Sequence, residues 1–403
     1  MKVLQINTTV NSGSTGRIAS EIGDLLIDLG HESIIAYGRK SCECSSLAIK
    51  IGTRKDFMFH VIHTRLFDRH GFSSRRVTED VINSIKQINP DIIHLHNIHG
   101  YYLHIGILFG YLKKAGKPVV WTLHDCWPFT GHCSHFQYVN CNKWQTECHD
   151  CPNTNGYPKS WLVDNSRTNY RQKRELFQSL DRMVIVSPSE WLARILRSSF
   201  LSDYEIKIIN NGVDLGKFRP LDNTVVANKY NLKRKYILGV ASIWTERKGL
   251  GDFFMLRKIL DPEIEIVLVG LSQSQARSMP IGVTGIARTE NTDELAALYT
   301  GAEIFVNPTY VDNFPSVNIE DLACGTPVVA YNTGGTAETL DEKTGFVIEK
   351  GDINGLALAV NKILQTGKKE YSDECRLRAM KLYDKRERYA EYISIYQNII
   401  AKN

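Results

Sequence analysis

Long hydrophobic runs are missing from this chain of 403 residues. Its first residues, MKVLQINTTVNSGS, turn polar too soon to form a secretory signal. The longest apolar run, IGILFGYL, is far too short to cross a membrane and is followed by Lys113 and Lys114. We therefore expect a cytoplasmic protein whose thiols are kept reduced, which disfavours disulfides.

A strong excess of charge of one sign is also missing, because the net charge is only +5. This mild positive charge suits small anionic substrates or an acidic membrane surface, and it is too weak to indicate nucleic acid as a partner. The chain has no close repeat and no low-complexity tract. Its hydrophobic fraction of 43% and charged fraction of 23% are typical of a globular protein, and its length favours two domains.

Apolar strands alternate with amphipathic helices along the whole chain. The segment KVLQI begins the pattern, and the helix that follows is expected to stop at Gly30. The pattern restarts after Pro220, where the polar segment NTVVANKYNLKRK is interpreted as a linker and YILGVAS as a new strand. Two Rossmann-like domains with parallel sheets follow from this order. Ligands bind such sheets at the carboxyl ends of the strands, so the cleft between two facing domains is the expected site.

One loop in the second half carries acids ahead of a predicted helix. In VDNFPSVNIEDLAC, seven residues separate Asp312 from Glu320. An irregular turn of Asn313, Phe314 and Pro315 leads into a helix that is expected to begin at Ser316, and these four residues are candidate donor-binding residues. The unpaired amides of a helix N-terminus are suited to hold a phosphate. Glu320 could accept hydrogen bonds from a ribose diol.

Two further loops complete this candidate site. In NTGGTAE, Gly334 and Gly335 allow the backbone to approach a ligand closely or to adopt a positive φ. In SIWTERKG, Arg247 and Lys248 follow the first strand of the second domain, where two cations suit a diphosphate.

The ordered set NNGVDLGKFRP, ERKGL, DNFPSVNIEDLACGTPVVA and GGTAE resembles retaining glycosyltransferases of family 4, which have the GT-B fold. PDIIHLHN, WTLHD and VSPSEWL in the first half resemble the same family. The resemblance implies an α/β chain with two Rossmann-like domains facing across a cleft. Residues 1–219 would form the acceptor-side domain, with a cysteine-rich insert at 124–152. Residues 220–385 would bind the nucleotide sugar, and residues 386–403 would form a helix returning to the first domain.

The resemblance also implies roles for individual residues. Lys248 matches the lysine on the donor diphosphate, Glu320 the acid on the ribose hydroxyls, and Asp312 the first acid, usually glutamate, near the donor sugar. Gly334 and Gly335 match a turn beside the phosphates and the sugar. His124 matches a histidine that reaches toward the donor sugar. The glycines in the loop where the family packs backbone against donor or acceptor are Gly13 and Gly16. One departure is Ser242, which stands where the family usually has arginine; Arg247 would supply that charge.

The activity implied is transfer of a hexose from a UDP- or GDP-linked sugar to a hydroxyl of a saccharide or lipid-linked saccharide, with retention and without a required metal. A lipid-linked acceptor for a surface polysaccharide is expected by resemblance. Two alternatives are a nucleotide-sugar epimerase of related fold and a zinc-stabilised binding protein without turnover. An inverting reaction would make Asp125 or His124 the first candidate for a general base.

The stretch HDCWPFTGHCSHFQYVNCNKWQTECHDCP holds five of the nine cysteines. Its candidate zinc ligands are Cys133, Cys141, Cys148 and Cys151, of which the last two form a C-x2-C pair. The alternative is a loop of buried, reduced cysteines without a metal. We expect the stretch to shape the acceptor site, with stacking surfaces from its aromatic residues Trp127, Phe129, Phe136, Tyr138 and Trp144.

A basic, aromatic-rich segment runs from Lys50 to Arg76, with seven Lys or Arg against two Asp. It could lie peripherally on the inner membrane surface, although a helix packed on its own domain with its charges to solvent is the favoured interpretation. The histidines of HLHNIHG, beginning with His94 and His96, are favoured as core-lining residues over metal ligands.

Overall fold

The computed structural model describes residues 1–401, which form two compact units. Unit 1 contains Met1–Asn210 together with the chain from Tyr389 onward, and unit 2 contains Asn211–Arg388. The first division therefore falls after Asn210, ahead of the predicted boundary after residue 219. Each unit is an α/β layer structure built on a parallel sheet.

The sheet of unit 1 has seven parallel strands in the order β3-β2-β1-β4-β5-β6-β7. Their bounds are β1 Lys2–Asn7, β2 Glu32–Tyr37, β3 Leu47–Lys50, β4 Ile92–Leu95, β5 Val119–Thr122, β6 Met183–Ser187 and β7 Glu205–Ile208. The central strands are buried along nearly their whole length, as expected for a sheet covered by helices on both faces.

Six helices of unit 1 lie between these strands. They are α1 Gly13–Asp28, α2 Arg54–Phe67, α3 Arg75–Ile88, α4 Ile105–Ala115, α5 Ser166–Phe177 and α6 Glu190–Arg197. Capping residues and glycine determine where several of these helices begin or end. Thr53 and Asp56 form a capping box at the start of α2. Helix α1 ends just before Gly30, which has φ +76°, so the predicted stop is confirmed.

The sheet of unit 2 has six parallel strands in the order β10-β9-β8-β11-β12-β13. Their bounds are β8 Tyr236–Val240, β9 Glu265–Val269, β10 Val283–Ile286, β11 Ile304–Asn307, β12 Val328–Tyr331 and β13 Gly345–Ile348. Strand β8 pairs with both β9 and β11, so the strand order changes direction there. Such a switch point is where ligands usually bind in open α/β sheets.

Seven helices of unit 2 complete its layers. They are α7 Thr224–Lys229, α8 Leu250–Ile259, α9 Gln273–Arg277, α10 Thr292–Gly301, α11 Ser316–Ala323, α12 Ile353–Thr366 and α13 Lys369–Leu382. The interpretation of NTVVANKYNLKRK as a linker is wrong in part, because it contains α7. Val226 of α7 is buried in the core of unit 2, and that burial holds an otherwise polar segment in a helix.

The last helix, α14 (Lys385–Ala401), begins in unit 2 and continues in unit 1. Five tyrosine and isoleucine side chains of α14 share a buried cluster with Val3, Ile18 and Ile92 of unit 1: Tyr389, Tyr392, Ile393, Tyr396 and Ile399. The Tyr396 hydroxyl also lies 2.6 Å from Nδ1 of the buried His94. Helix α14 is therefore part of the core of unit 1.

Candidate active site

The loop after β8 carries the two predicted cations and packs tightly against the end of β11. Arg247 and Lys248 end a short 3-10 turn, and Gly249 follows with φ +75°. A Cβ atom on Gly249 would lie 2.2 Å from the carbonyl oxygen of Pro308. Only glycine therefore allows the two loops to approach so closely.

Lys248 and Asp312 form an ion pair across these loops. The Lys248 Nζ donates to Asp312 Oδ2 at 2.5 Å, and both side chains are about one-fifth exposed. The predicted cation and the predicted first acid, which are 64 residues apart in sequence, are therefore in direct contact. An ammonium held by one carboxylate at the edge of solvent can exchange that partner for a phosphate oxygen.

Arg247 lies in the same loop, held by neighbouring backbone. Its Nη1 donates to the carbonyl oxygen of Val311 at 3.2 Å, and its own carbonyl accepts from the Tyr310 N–H at 2.9 Å. Ser242, at the position where the family usually has arginine, is exposed. The guanidinium of Arg247 thus lies beside the residue that precedes Asp312, which is compatible with the predicted replacement of the missing charge.

The glycine turn after β12 packs directly on Asp312. Gly334 has φ +56°, and a Cβ atom there would lie 1.7 Å from the Asp312 carbonyl oxygen. Thr333 anchors the turn by donating from Oγ1 to the Thr309 carbonyl oxygen at 2.8 Å. The loops after β8, β11 and β12 therefore meet around Asp312, with Gly335 buried in the turn.

Helix α11 begins at Ser316 without a side-chain cap, so its first amides are not capped by Pro315. Phe314 is 4% exposed and packs edge-on against Tyr383, with ring centres 5.8 Å apart. Phe314 and the buried Pro315 can therefore meet a donor only through their backbone. The Asn313 N–H donates to Asp312 Oδ1 at 2.9 Å, which fixes the turn into the helix.

Glu320 lies on the second turn of α11 and is only 4% exposed. Glu320 therefore does not lie on a solvated face of the helix. Its Oε2 accepts from the Tyr299 hydroxyl at 3.3 Å. Burial of a carboxylate with hydroxyl partners is compatible with recognition of a ribose diol, and that role stays a prediction.

In unit 1, the loop after β1 leads into the N-terminus of α1. Gly13 starts the helix with φ +69°, and Ser12 provides no side-chain cap. Gly16 is buried, and a Cβ atom there would lie 2.6 Å from Thr9 Oγ1. Both glycines thus lie at the carboxyl end of β1, in the loop after the first strand, as predicted from the sequence. Contact with donor or acceptor stays a prediction.

His124 follows β5 and contacts another histidine. Its Nε2 lies 3.2 Å from Nδ1 of His96, and the two rings are stacked with centres 5.5 Å apart. Burial lowers the pKa of His124 to about 4, although the neighbouring Asp125 opposes this shift. The imidazole is therefore neutral at neutral pH and can hydrogen-bond a sugar hydroxyl without placing a positive charge there.

Asp125 is fully engaged by its neighbours. Its Oδ2 lies 2.9 Å from His99 Nε2, and its Oδ1 accepts from the Trp127 N–H at 2.9 Å. Burial alone would raise the pKa of Asp125, but His99 and the hydrogen bonds to the carboxylate lower it to about 2. Such a weak base is poorly suited to take a proton from an acceptor hydroxyl near neutral pH.

The aromatic residues of the cysteine-rich stretch are mostly not available for stacking on sugars. Trp127, Phe129, Phe136 and Trp144 are between 0% and 7% exposed and belong to the core of unit 1. Only Tyr138 is exposed, at 49%. The predicted stacking surfaces are therefore wrong for four of the five residues, because these rings form the small core that a loop without long helices or strands needs.

Lys173 of α5 anchors this stretch, and no sequence pattern indicated it. It is 1% exposed, and its Nζ donates to the carbonyl oxygens of Trp127 at 2.8 Å and Thr130 at 3.0 Å. The ammonium also lies 3.5 Å from the Trp127 ring centre. Burial lowers the pKa of Lys173 to about 7. A single lysine in a polar helix does not alter the hydrophobic periodicity, so the sequence could not predict that Lys173 anchors this stretch.

The nine cysteines are all free thiols. The four predicted zinc ligands, Cys133, Cys141, Cys148 and Cys151, line one small cavity. A hydrogen bond between the Cys133 and Cys151 thiols raises the pKa of Cys133 and lowers that of Cys151. Within residues 1–401, however, no three His, Cys, Asp or Glu side chains are grouped so as to hold a metal ion. The side chains as placed do not fit zinc, and a bound zinc ion stays a prediction for metal analysis of the purified protein.

His94 and His96 are fully buried on one strand face, with ring centres 4.0 Å apart. His94 Nε2 lies 2.8 Å from Thr122 Oγ1, and His96 Nε2 lies 2.9 Å from Gln5 Oε1. These partners are core hydroxyls and amides, so the core-lining interpretation is confirmed.

Comparison with known proteins identifies the family. Residues 15–217 match Glycosyltransferase Family 4, and residues 234–366 match Glycosyl transferases group 1. The chain belongs to glycosyltransferase family 4. The resemblance to this family is thus confirmed, and the loops around Lys248 and Glu320 lie within the second matched segment.

Individual relatives span the whole chain. A putative colanic acid biosynthesis glycosyl transferase of Escherichia coli, WcaC, is 26% identical over 415 residues, covering 99% of this chain and 100% of that protein. Among solved structures, sucrose-phosphate synthase from Thermosynechococcus elongatus matches with a TM-score of 0.73 and 17% identity, each chain covered completely. Anabaena HepE, crystallised in complex with UDP, matches with a TM-score of 0.71 and 14% identity over 99% of this chain and 100% of that one. At such low identities these structural matches show the fold, which is GT-B.

Proposed function

We propose that this glycosyltransferase moves a hexose from a UDP- or GDP-linked sugar to a hydroxyl of a saccharide or lipid-linked saccharide, with retention of configuration. The observation that carries the proposal is the meeting of three loops around the Lys248–Asp312 ion pair at the switch point of the sheet. The relative WcaC, named for colanic acid biosynthesis, supports a role in making a surface polysaccharide. The UDP complex of HepE supports a uridine nucleotide as the first donor to test.

The chemistry follows from charge. Breaking the anomeric C–O bond leaves a growing negative charge on the diphosphate, and preorganised cations stabilise it most effectively. Lys248 would exchange Asp312 for a phosphate oxygen, with Arg247 and the uncapped amides of α11 adding positive potential. Glu320 would hold the ribose. We propose that these groups suffice without a metal ion.

Retention needs no protein base if the leaving phosphate oxygen takes the acceptor proton. The engagement of Asp125 by His99 and by the Trp127 amide, with its lowered pKa, supports this route over an inverting one. The neutral His124 would then orient the donor sugar through hydrogen bonds. Determining the anomeric configuration of the product by NMR tests this point, and an inverted product would contradict it.

Replacement of Lys248 tests the donor site. We expect Lys248→Ala to lower turnover roughly a hundredfold or more, because one charge-stabilising donor is lost and the negative charge of Asp312 beside the phosphates loses its ion pair with Lys248. Lys343→Ala is the matched control, since Lys343 forms an exposed ion pair with Glu374 in the same unit. Near-normal turnover of Lys248→Ala would contradict the proposal.

A panel of nucleotide sugars scored by thermal shift and donor hydrolysis identifies the donor. Sugar transfer that depends on an added acceptor supports a transferase, whereas product from the donor alone would favour an epimerase. Binding without any turnover would favour a non-catalytic binding protein. A crystal soaked with UDP that places the nucleotide away from Lys248 and Glu320 would overturn the assignment of the site.

A further inference from the structure

Helix α2 exposes apolar side chains on the face opposite to the one that it buries. Its buried face consists of His60, Val61 and Thr64. Met58, Phe59 and Ile62 point to solvent instead, with exposed fractions of 46%, 63% and 50%. The favoured sequence interpretation, a helix packed on its own domain with its charges to solvent, holds for Arg54 and Lys55, but it did not predict these exposed apolar side chains. An apolar stripe that its own domain does not cover is typical of a surface that binds something else.

The loop that follows the cysteine-rich stretch extends this stripe. The Trp161 N–H donates to the carbonyl oxygen of Arg65 at 2.7 Å, and the Arg65 guanidinium lies 4.9 Å from the Trp161 ring centre. Trp161 and Leu162 remain 55% and 71% exposed. We define the docking face as the exposed apolar residues of both segments: Met58, Phe59, Ile62, Phe67, Trp161 and Leu162.

Basic side chains border the docking face. The exposed cations are Arg54, Lys55, Arg75, Arg76 and Lys159. Phe59 and Arg75 line a groove of about 370 Å³ that also contains His63, Ser73 and Arg76. The groove leads to the N-terminus of α3, which has no side-chain cap. Aromatic and cationic groups around one groove match the chemistry of an anionic lipid headgroup.

The acids of this region do not cancel the positive charge. Asp68 is 1% exposed and lies 2.5 Å from His132, so it does not reach the surface. Asp56 accepts from the Thr53 backbone and hydroxyl in the capping box. Asp164 accepts from the amides of Cys151 and Ser166. Asp56 and Asp164 keep their negative charges, but the five exposed cations outnumber them, so the border of the docking face is net positive.

We propose that the docking face lies on a bilayer surface that contains anionic phospholipid, with Phe59, Ile62 and Trp161 entering the headgroup region. A second copy of this chain is a poorer occupant, because a two-fold contact would bring two positive borders together. No helix within residues 1–401 is both long and apolar enough to span a bilayer. The contact is therefore an interfacial one, of the kind that apolar area and basic residues make together.

This inference deepens the proposed function and rests on it at one point, because a lipid-linked acceptor would lie at such a membrane surface. Flotation of the full-length protein with vesicles tests it directly. We expect the protein to float with vesicles of phosphatidylcholine mixed with phosphatidylglycerol, and much less with phosphatidylcholine alone. The binding should weaken as salt is added, because the basic border acts through screened charges.

Two variants separate the apolar and the electrostatic parts. We expect Phe59→Glu with Trp161→Glu, and separately Arg75→Glu with Arg76→Glu, to weaken vesicle binding at least about tenfold. Leu358→Glu controls for an exposed leucine (70%) in unit 2, and Lys113→Glu with Lys114→Glu controls for reversal of two exposed charges in unit 1. Both controls should float like the unchanged protein.

All docking-face variants should still bind UDP by thermal shift and act on a soluble acceptor, whereas Lys248→Ala should still float. The two proposals can therefore fail separately. Absence of flotation, equal flotation with neutral vesicles, or undiminished flotation of both docking-face variants would overturn the inference. So would a dimer in light scattering that Phe59→Glu dissociates, since a second copy would then occupy the face.

Discussion

Acidification should unfold unit 1 selectively, because the histidines are distributed very unevenly. All twelve histidines lie between His31 and His149, so unit 2 has none. Burial lowers the pKa of His60 and His94 to about 3, and that of His124 to about 4. It also holds the pKa of His70 and His96 well below the usual value near 6.5.

The magnitude follows from proton linkage. Below about pH 6.5 the unfolded chain protonates these five imidazoles and the folded chain does not, so stability is present above that pH and is lost as the pH falls. Each such group contributes about 1.4 kcal/mol per pH unit, and five of them contribute about 7 kcal/mol per pH unit. This slope is comparable to the whole stability of a typical domain. One pH unit below the onset should therefore nearly exhaust the stability of unit 1.

Hydrogen exchange by mass spectrometry between about pH 7 and pH 5, corrected for intrinsic exchange rates, measures the two units separately. We expect peptides of β1 and β4 to lose protection as the pH falls, while peptides of β8 and β11 keep theirs. Unit 2 thus serves as an internal control. Full protection of β1 and β4 at the acid end would refute the reasoning, because the buried imidazoles would then have to accept protons in the folded state at little cost.

Two further predictions concern buried charges. Asp68→Asn should destabilise unit 1 by about 3 kcal/mol in urea unfolding. It should also lower the pKa of His132, because burial lowers that pKa and the 2.5 Å contact with Asp68 is the main factor that raises it. Asp150→Asn, in the exposed pair with His149, is the control and should have no measurable effect. Equal effects of the two variants would contradict the prediction. Asp321 is fully buried without a hydrogen-bond partner, and burial raises its pKa well above the usual value. Its contribution to stability is therefore present at low pH and is lost as the pH rises. Asp321→Asn should stabilise unit 2 more at pH 8 than at pH 5, whereas Asp373→Asn, at an exposed position, should show no such trend. A stability difference that stays constant across that pH range would refute the assignment.

Local patterns were sufficient to predict much of the fold. The segment KVLQI was predicted to begin the pattern, followed by a helix that stops at Gly30; β1 spans Lys2–Asn7, and α1 ends just before that glycine. The alternation of apolar strands and amphipathic helices predicted two parallel sheets, and both are present. These features depend on neighbours within one or two turns, whose side-chain periodicity reports directly which face is buried.

For two aromatic-rich segments, the sequence showed the apolar character but not what the aromatic side chains contact. The aromatic residues of the cysteine-rich stretch were taken as sugar-stacking surfaces, yet Trp144 and three others pack in the core. Helix α2 turns Arg54 and Lys55 outward as expected, but the sequence did not indicate that Phe59 would be 63% exposed beside them. An aromatic residue appears identical in the sequence whether its ring packs in a core, on a ligand or on a membrane. Composition alone therefore could not show which of these partners each ring contacts.

The sequence by itself thus determined the two-domain α/β architecture, the family, and which loops carry the charged and glycine residues of the candidate site. Only the tertiary structure decided that Lys248 meets Asp312, that Gly334 packs on the Asp312 backbone, and that Lys173 holds the cysteine-rich stretch. The physical reason is separation along the chain. Periodicity records whether a side chain is buried, whereas the identity of a partner tens of residues away depends on how strands are ordered in the sheet.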